Sequence, residues 1–216
     1  MNEASDSSIR LAGVSLRPPC HACAFFHSED EEYDLLLPFI KEGFERGDKS
    51  FHIINEGRRQ DFMDRLTALG VDAPAAEAAG QLEVRGWEHA HLRPGWFDQH
   101  AMLALVEEVL SGARRQGFEH TRWIANMGWA LEEKRGVEDL VEYCARLNQV
   151  VPKYHATIIC TYDLARFSAA QVVGVLRSHP LAVIGGIVQE NPFFVAPEEL
   201  IRELNEPPHQ AHQLVS

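Results

Sequence analysis

The sequence predicts a three-layer α/β fold in which a mainly parallel sheet is flanked by helices on both faces. Strand-like and helix-like apolar patterns alternate along the chain, as they do in parallel sheets with crossover helices. The apolar runs Ile53-Ile54 and Ile158-Ile159-Cys160 are typical of strands that are buried on both faces. Predicted strands cover residues 21–27, 49–54, 82–85, 121–127, 155–161 and 182–188, and predicted helices cover residues 30–46, 58–69, 97–116, 137–150 and 168–178.

The first strand and helix are predicted from local signals. The segment from His21 to His27 is short and apolar, as expected for a buried strand, and Ser28 after it is a suitable helix N-cap. Pro38 lies inside the helix that follows, and we expect it to kink that helix or delay its start. The apolar stripe of this helix comprises Leu35, Leu36, Phe39, Ile40 and Phe44.

The later elements repeat the alternation. Residues 86–95 form the longest irregular connection and precede the long helix over residues 97–116. Ser168 is a suitable N-cap for the helix over residues 168–178. Pro197 opens a short last helix in the favoured first-turn position.

We expect one domain over residues 20–204, between a flexible N-terminal tail over residues 1–19 and a C-terminal tail over residues 205–216. The first 19 residues lack the apolar core of a signal peptide, and no segment is apolar enough to span a membrane. Four cysteines on predicted strands and a helix indicate reduced thiols, so we expect a cytoplasmic protein. These cysteines are Cys20, Cys23, Cys144 and Cys160.

The acidic composition limits the possible partners. The formal net charge is −12 at pH 7. Nucleic acids and anionic membranes require a basic surface, so neither is an expected partner.

The junction between the first strand and helix carries the wrong chemistry for a nucleotide site. A phosphate-binding loop would place glycines and a lysine there. This chain instead places Glu29, Asp30, Glu31 and Glu32 at the junction, and no Gly-x-x-x-x-Gly-Lys motif occurs anywhere in its sequence. We therefore expect that ATP and GTP do not bind.

Aromatic and amide side chains follow several predicted strands. In parallel sheets ligands bind beyond the carboxyl ends of the strands. We expect a small, largely apolar molecule at the ends of the third, fourth and fifth predicted strands, with Trp87 and Trp129 as walls and Tyr162 and Asn191 as polar anchors. The alternative is that the aromatic residues only cover the core beneath loops.

Arg122 lies near the start of a strand that should be buried. A buried guanidinium needs a carboxylate partner, which Glu142 or Asp163 could supply in a structural salt bridge. The alternative role is an anchor for a ligand carboxylate, so both Arg122 and Asp163 are candidate ligand-binding residues.

The segment Cys20-His21-Ala22-Cys23 raises the question of a metal site. On a strand, His21 and Cys23 face one side and Cys20 the other, so zinc would need further ligands such as His27 or Cys160. No second closely spaced ligand pair exists, and we expect neither a metal nor a cofactor. His89 and His91 in the long loop are read as exposed bystanders.

Several segments, in their order along the chain, together resemble one family. The resemblance covers residues 20–204 and is to the MEDS domain, the methanogen and methylotroph sensory domain of the DcmR type. It implies a sensory domain distantly related to RecA-like ATPases, without nucleotide-binding motifs, that perceives small hydrocarbon derivatives. The segments are His21-x-x-x-Phe25-Phe26, Glu31-Glu32, Pro38-Phe39-Ile40, Gly43, Arg122, Met127-Gly128-Trp129, Ile159 to Asp163, His179-Pro180 and Asn191 to Phe194, with Phe26 standing where many relatives are expected to carry tyrosine.

The sequence and the resemblance together indicate a stand-alone, non-enzymatic sensory module. It would bind a small organic ligand and signal to a separate protein, either a kinase or a transcription regulator, and it could form an oligomer. One alternative is a ligand-free, degenerate-ATPase scaffold for protein interaction. The other is a hydrolase or lyase that uses Glu31, Glu32, His27 or Asp163 as acid and base.

Overall fold

A computed structural model describes residues 8–206 of the chain. Nine strands in this part, β1 to β9, cover Ile9–Leu11, Val14–Leu16, Cys20–Phe26, Lys49–Ile54, Leu82–Gly86, Thr121–Asn126, Ala156–Asp163, Leu181–Ile184 and Ile187–Glu190. Seven α-helices, α1 to α7, cover Glu29–Arg46, Arg59–Ala68, Ala73–Ala78, Gln99–Arg115, Leu140–Val150, Ala169–Ser178 and Pro197–Asn205.

The central sheet has seven strands in the order β5-β4-β6-β7-β3-β8-β9. Its first six strands are mutually parallel, and β9 returns antiparallel to β8. The predicted α/β class with a mainly parallel sheet is therefore confirmed. After β4 the chain turns outward to β5, whereas after β6 it turns the other way to β7, which opens a crevice at the carboxyl edge.

Helices cover both faces of the sheet and enclose two separate cores. One core joins α1 to α3 and the β1–β2 hairpin to one face, through side chains such as Phe39, Phe62 and Ile124. The other core joins α4 to α6 to the opposite face, through side chains such as Val106 and Trp123. Burial on both faces explains why the sheet strands read as continuous apolar runs.

Local capping signals agree with the observed helix ends. The Ser28 side chain accepts a hydrogen bond from the backbone of Glu31 at the start of α1, and Ser168 forms a capping box with Gln171 at the start of α6. Pro38 neither delays nor divides α1, which is one helix over Glu29–Arg46.

Two expected boundaries need correction. Residues 9–16 belong to the fold, because β1 and β2 pair as an antiparallel hairpin whose Ile9 and Leu11 are buried against α1. The expected strand over residues 182–188 is instead a tight hairpin, because Gly185 and Gly186 both adopt positive φ angles and reverse the chain between β8 and β9. Residues 1–7 and 207–216 of the expected tails lie outside the described residues. Over the described part, none of the helices combines the length and apolarity needed to cross a membrane.

Candidate functional site

A cavity of about 250 Å³ lies at the carboxyl edge of the sheet, next to the crevice between β4 and β6. It is bounded by the ends of β3, β4, β6 and β7 and by the segment that follows β5. Its lining residues are Phe26, Ser28, Glu29, Glu32, Asn55, Arg58, Trp87, Asn126, Gly128, Thr161, Tyr162, Asp163 and Arg166.

The β3–α1 junction at this cavity is closed by its own carboxylates. Glu31 accepts a hydrogen bond from the backbone amide of His27 at 2.8 Å, while Ser28 accepts one from the amide of Glu31 at 3.2 Å. Four acidic residues fill the first turn of α1. The His27 amide and the helix dipole, which would attract a phosphate, thus already interact with carboxylates, and the Glu31 amide is taken by the Ser28 hydroxyl.

A charged network forms one side of the cavity. Glu32 accepts a hydrogen bond from the Thr161 hydroxyl at 2.7 Å and another from Arg58 at 3.2 Å. Arg58 also forms an ion pair with Glu29 at 3.2 Å. Burial is the largest single influence and lowers the pKa of Arg58, but the neighbouring Glu32, Tyr33 and Glu29 together outweigh burial and raise it. The guanidinium is therefore held by two carboxylates of the chain itself.

An aromatic wall faces this network. The indole nitrogen of Trp87 donates to the carbonyl oxygen of Asn126 at 3.1 Å, which fixes the ring. Gly128 packs so closely on this ring that a Cβ atom there would lie 3.0 Å from it. A side chain at position 128 would therefore push Trp87 into the cavity.

Three of the expected ligand-binding residues meet at the cavity, namely Trp87, Tyr162 and Asp163. Tyr162 borders the cavity but is only 1% exposed, and its hydroxyl lies 3.9 Å from the Cys144 sulfur in the core. Asp163 accepts the backbone amide of Ala165 at 2.8 Å in the turn that follows β7.

Trp129 and Asn191 do not line the cavity, contrary to expectation. Trp129 is 0% exposed and packs on Phe97 and His91 in the core beside α4. Asn191 donates to the carbonyl oxygens of Leu176 and His179, so it holds the segment after β9 onto the end of α6. The alternative reading of aromatic residues as core cover is correct for Trp129.

Arg122 lies at the amino edge of the sheet, away from the cavity. Its partners are Asp48 at 2.7 Å and Glu42 at 3.0 Å, not the expected Glu142 or Asp163. Its side chain also fills the space beside Gly43, where a Cβ atom would lie 2.7 Å from the guanidinium. Arg122 thus forms a structural salt bridge, as expected, but the expected carboxylate partners were wrong.

The charged half of the cavity was missed in the sequence. Asn126 and Thr161 are directly opposite each other in the β6–β7 register, and Arg58 follows β4 by a short turn. A polar residue ending each of two apolar strands was the available signal. From the sequence, Glu32 belongs to an acidic run and to a segment of the family resemblance, and it is a candidate acid, but nothing there pairs it with Arg58 or Thr161.

The histidines and cysteines agree with expectation in part, because Cys20 and His21 face opposite sides of the sheet but His91 is buried. Cys20 contacts Thr157 at 3.4 Å on the α1 face, whereas His21 faces α5 and lies 3.7 Å from the Cys160 sulfur. His27 is exposed at the carboxyl edge. His91 is not an exposed bystander, because it is buried between aromatic rings with neither ring nitrogen hydrogen-bonded within the described part of the chain.

Comparison with solved structures supports the class of fold. A KaiC-like protein from the hyperthermophilic archaeon Pyrococcus horikoshii OT3 superposes with a TM-score of 0.55 at 14% identity, covering 76% of this chain and 69% of that one. This likeness shows the fold alone, and it confirms a RecA-like arrangement.

The family is shown by sequence. The model of the MEDS family, described as the MEthanogen/methylotroph, DcmR Sensory domain, matches residues 20–180, and the chain belongs to this family. The transcriptional repressor DcmR of Methylorubrum extorquens is similar at 23% identity over 171 residues, which is 79% of this chain. The alignment spans 62% of that relative's length.

Proposed function

We propose that this chain is a non-enzymatic sensory module that binds a small organic molecule in the carboxyl-edge cavity and signals to a separate regulatory protein. The observation that carries this proposal is the cavity itself. It occupies the position where parallel sheets bind ligands, and it lies in a domain of a sensory family.

The size of the cavity supports a small ligand. Sites for drug-sized ligands have volumes of roughly 300–1,000 Å³. At about 250 Å³ the cavity falls below that range, so a compact molecule suits it better than a nucleotide.

The lining indicates which small molecules fit. Trp87 and Phe26 offer apolar surface, while the opposite side is charged. Carboxylates outnumber guanidinium groups there, and Arg58 is already held by Glu29 and Glu32. The proposed ligand is therefore a hydrocarbon derivative with a hydrogen-bond donor, such as a short alcohol or amine, rather than a short acid.

A sensory role is favoured over catalysis by the groups at the cavity. Within residues 8–206, no histidine or cysteine lines it. Glu32, the most buried carboxylate, is engaged by Thr161 and Arg58 rather than free to accept a substrate proton. Catalysis by positioned acid and base would need such a free group near the reacting atoms.

Signalling to a partner is the part of the proposal that rests on family. The similar protein from Methylorubrum extorquens is a transcriptional repressor, which favours a regulatory role. The partner proposed here is a kinase or a transcription regulator. The competing proposal is a scaffold whose cavity binds nothing.

A thermal-shift screen of short alcohols, amines, halocarbons and acids tests ligand binding. A ligand at a hundred times its dissociation constant stabilises the fold by about 2.7 kcal/mol. For a chain of this size that raises the melting temperature by roughly 5–10 °C. We expect hits among alcohols and amines.

Matched variants locate the site. Trp87→Phe should weaken every hit, whereas Trp96→Phe changes a half-exposed tryptophan outside the cavity and should leave the hits unchanged. Glu32→Gln should weaken amines more than alcohols, because it removes a negative charge. Hits that survive Trp87→Phe would place the site elsewhere, and a broad screen without hits would favour the scaffold.

A further inference from the structure

Four buried side chains from four elements meet beneath α5 and α6, outside the proposed ligand cavity. They are His21 of β3, Cys160 of β7, Cys144 of α5 and His179 at the end of α6. Each is at most 2% exposed. The ligand atoms of His21, Cys160 and His179 all lie within 4.8 Å of one another.

The protonation of His21 is set by Asn148. The amide nitrogen of Asn148 donates to the carbonyl oxygens of Cys144 and Ser178, at 3.0 and 2.8 Å. Its amide oxygen must therefore face Nδ1 of His21, 2.9 Å away, and accept a hydrogen bond from the N–H group there. Nε2 of His21 is left with a lone pair directed at Cys160, whose sulfur is 3.7 Å away.

His179 is held in the same tautomer. Its Nδ1 lies 2.8 Å from the carbonyl oxygen of Val175, which can only accept a hydrogen bond. Nε2 therefore carries a lone pair, and it is buried without a hydrogen-bond partner in the described part of the chain. An orphaned acceptor inside a core is costly unless something binds it.

Cys144 completes the group. Its side chain contacts both Cys160 and the His179 imidazole, and its sulfur lies 3.9 Å from the Tyr162 hydroxyl. Cys144 is therefore the candidate fourth ligand beside His21, Cys160 and His179.

We infer that His21, Cys144, Cys160 and His179 form a closed binding site for a zinc-like divalent metal ion. Two imidazole nitrogens and two thiolates are a common tetrahedral zinc set. With bonds of about 2.0–2.3 Å, neighbouring ligand atoms of a tetrahedron lie roughly 3.3–3.8 Å apart, which the 3.7 Å separation of His21 Nε2 and Cys160 Sγ matches.

Charge balance suits the buried location. Binding forms two metal–nitrogen and two metal–sulfur bonds, and the two thiol protons pass to solvent. The resulting site is electrically neutral, so burying it carries little desolvation cost. With four protein ligands no position stays open, so the ion would lock β3, β7, α5 and α6 together rather than act in catalysis.

The outer contacts and the access route fit such a site. The Asn148 amide oxygen and the Val175 carbonyl oxygen each accept a hydrogen bond from Nδ1 of one imidazole. Hydrogen bonds of this kind orient zinc-bound histidines in proteins. His21 and Asn148 also line a surface groove of about 520 Å³, which gives an ion a path inward. This inference replaces the expectation of no metal, which considered Cys20, His21 and Cys23 with His27 or Cys160 as further ligands and did not include Cys144 or His179.

Elemental analysis is the direct test. The protein is unfolded with chelator, refolded with zinc sulfate and desalted, and its metal content is measured. We expect about one zinc per chain. Cobalt in place of zinc should show the absorption of a tetrahedral, thiolate-bound ion.

Variants assign the ligands. Cys160→Ser should abolish retention, whereas the matched control Cys20→Ser changes a buried cysteine on the other face of the sheet and should retain zinc. Asn148→Ala should weaken zinc affinity about 10–100-fold through His21. Circular dichroism of each variant separates loss of metal from loss of fold.

Three results would overturn the inference. They are a wild-type protein that refolds but keeps no zinc, zinc retained by a folded Cys160→Ser variant, and a Cys144–Cys160 disulfide in the purified chain. None of them bears on the carboxyl-edge cavity, so the proposed sensory function would stand or fall separately.

Discussion

The carboxyl-edge cavity and the buried histidine–cysteine cluster handle polar groups in opposite ways. The cavity keeps formal charges near water, as in the pairing of Arg58 with Glu29 and Glu32. The cluster, defined by His21, Cys144, Cys160 and His179, consists of side chains that are each at most 2% exposed, and its groups can be buried because they are neutral or neutralised. Tyr162 lies between the two regions, since it borders the cavity and its hydroxyl is near Cys144.

Because of this difference, the two regions can recognise different kinds of ligand. A half-open, charged cavity can exchange a polar ligand with solvent, because water solvates its groups when the ligand leaves. A closed cluster can hold only something that satisfies all its lone pairs at once. Reversible exchange of a ligand is suited to sensing, whereas a permanently bound group is suited to stabilising the fold.

The largest effect that we expect is a loss of stability at acidic pH, because deeply buried imidazoles stay neutral in the folded protein. Burial lowers the pKa of His52 and of His91 to about 3. In the unfolded chain these histidines gain protons below about pH 6.5. The contribution of each to stability is therefore fully present above pH 6.5 and is lost between pH 6.5 and about 3, at about 1.4 kcal/mol per pH unit.

Urea unfolding at pH 7 and pH 5 measures the total loss, to which His52 and His91 should together contribute about 4 kcal/mol, while His21 and His120 add to it because their pKa values are lowered as well. His91→Phe keeps a ring against Trp129 and should reduce the total loss by about 2 kcal/mol. The control His89→Phe changes an exposed histidine of the same loop and should not. An undiminished loss in His91→Phe would mean that His91 is protonated in the folded protein.

An intermediate effect compares two asparagines, one at each region. Asn148→Ala removes three hydrogen bonds, leaves the nitrogen of His21 unpaired and takes a donor from the carbonyl oxygens of Cys144 and Ser178, which should cost about 2–3 kcal/mol. Asn126→Ala removes its contacts to Thr161 and Gly128 at the cavity, where water can replace them, and should cost less than about 1 kcal/mol.

Chemical denaturation in the presence of a chelator gives both free energies of unfolding without any contribution from metal. Equal losses in the two variants would remove the distinction between a solvated and a desolvated region.

The last prediction is that ATP does not bind to the β3–α1 junction. Calorimetric titration with ATP and magnesium should give no specific heat, because the carboxylate of Glu31 already takes the His27 amide and Glu29 and Glu32 repel phosphate. A saturable, micromolar isotherm would contradict this reading of the junction and would place phosphate chemistry at the cavity.

Local features of the sequence were sufficient for much of the fold. Helix starts at Ser28 and Ser168, the buried strands and the acidic junction all depend on residues a few positions apart. The errors at residues 9–16 and 182–188 have a common cause. Short hairpins have little periodicity, and their burial depends on a distant surface, α1 for the first and β3 for the second.

The partners of the polar residues followed different rules. The sequence by itself determined that Arg122 needs a carboxylate, and that cysteines and histidines sit on buried elements. The three-dimensional fold is needed to pair Arg122 with Asp48 across 74 positions and Arg58 with Glu32. It is also needed to bring Cys160 into contact with His21 across 139 positions. The reason is that crossover helices place β7 between β6 and β3, so strand neighbours are set by how two whole faces of helices pack, which local patterns do not encode.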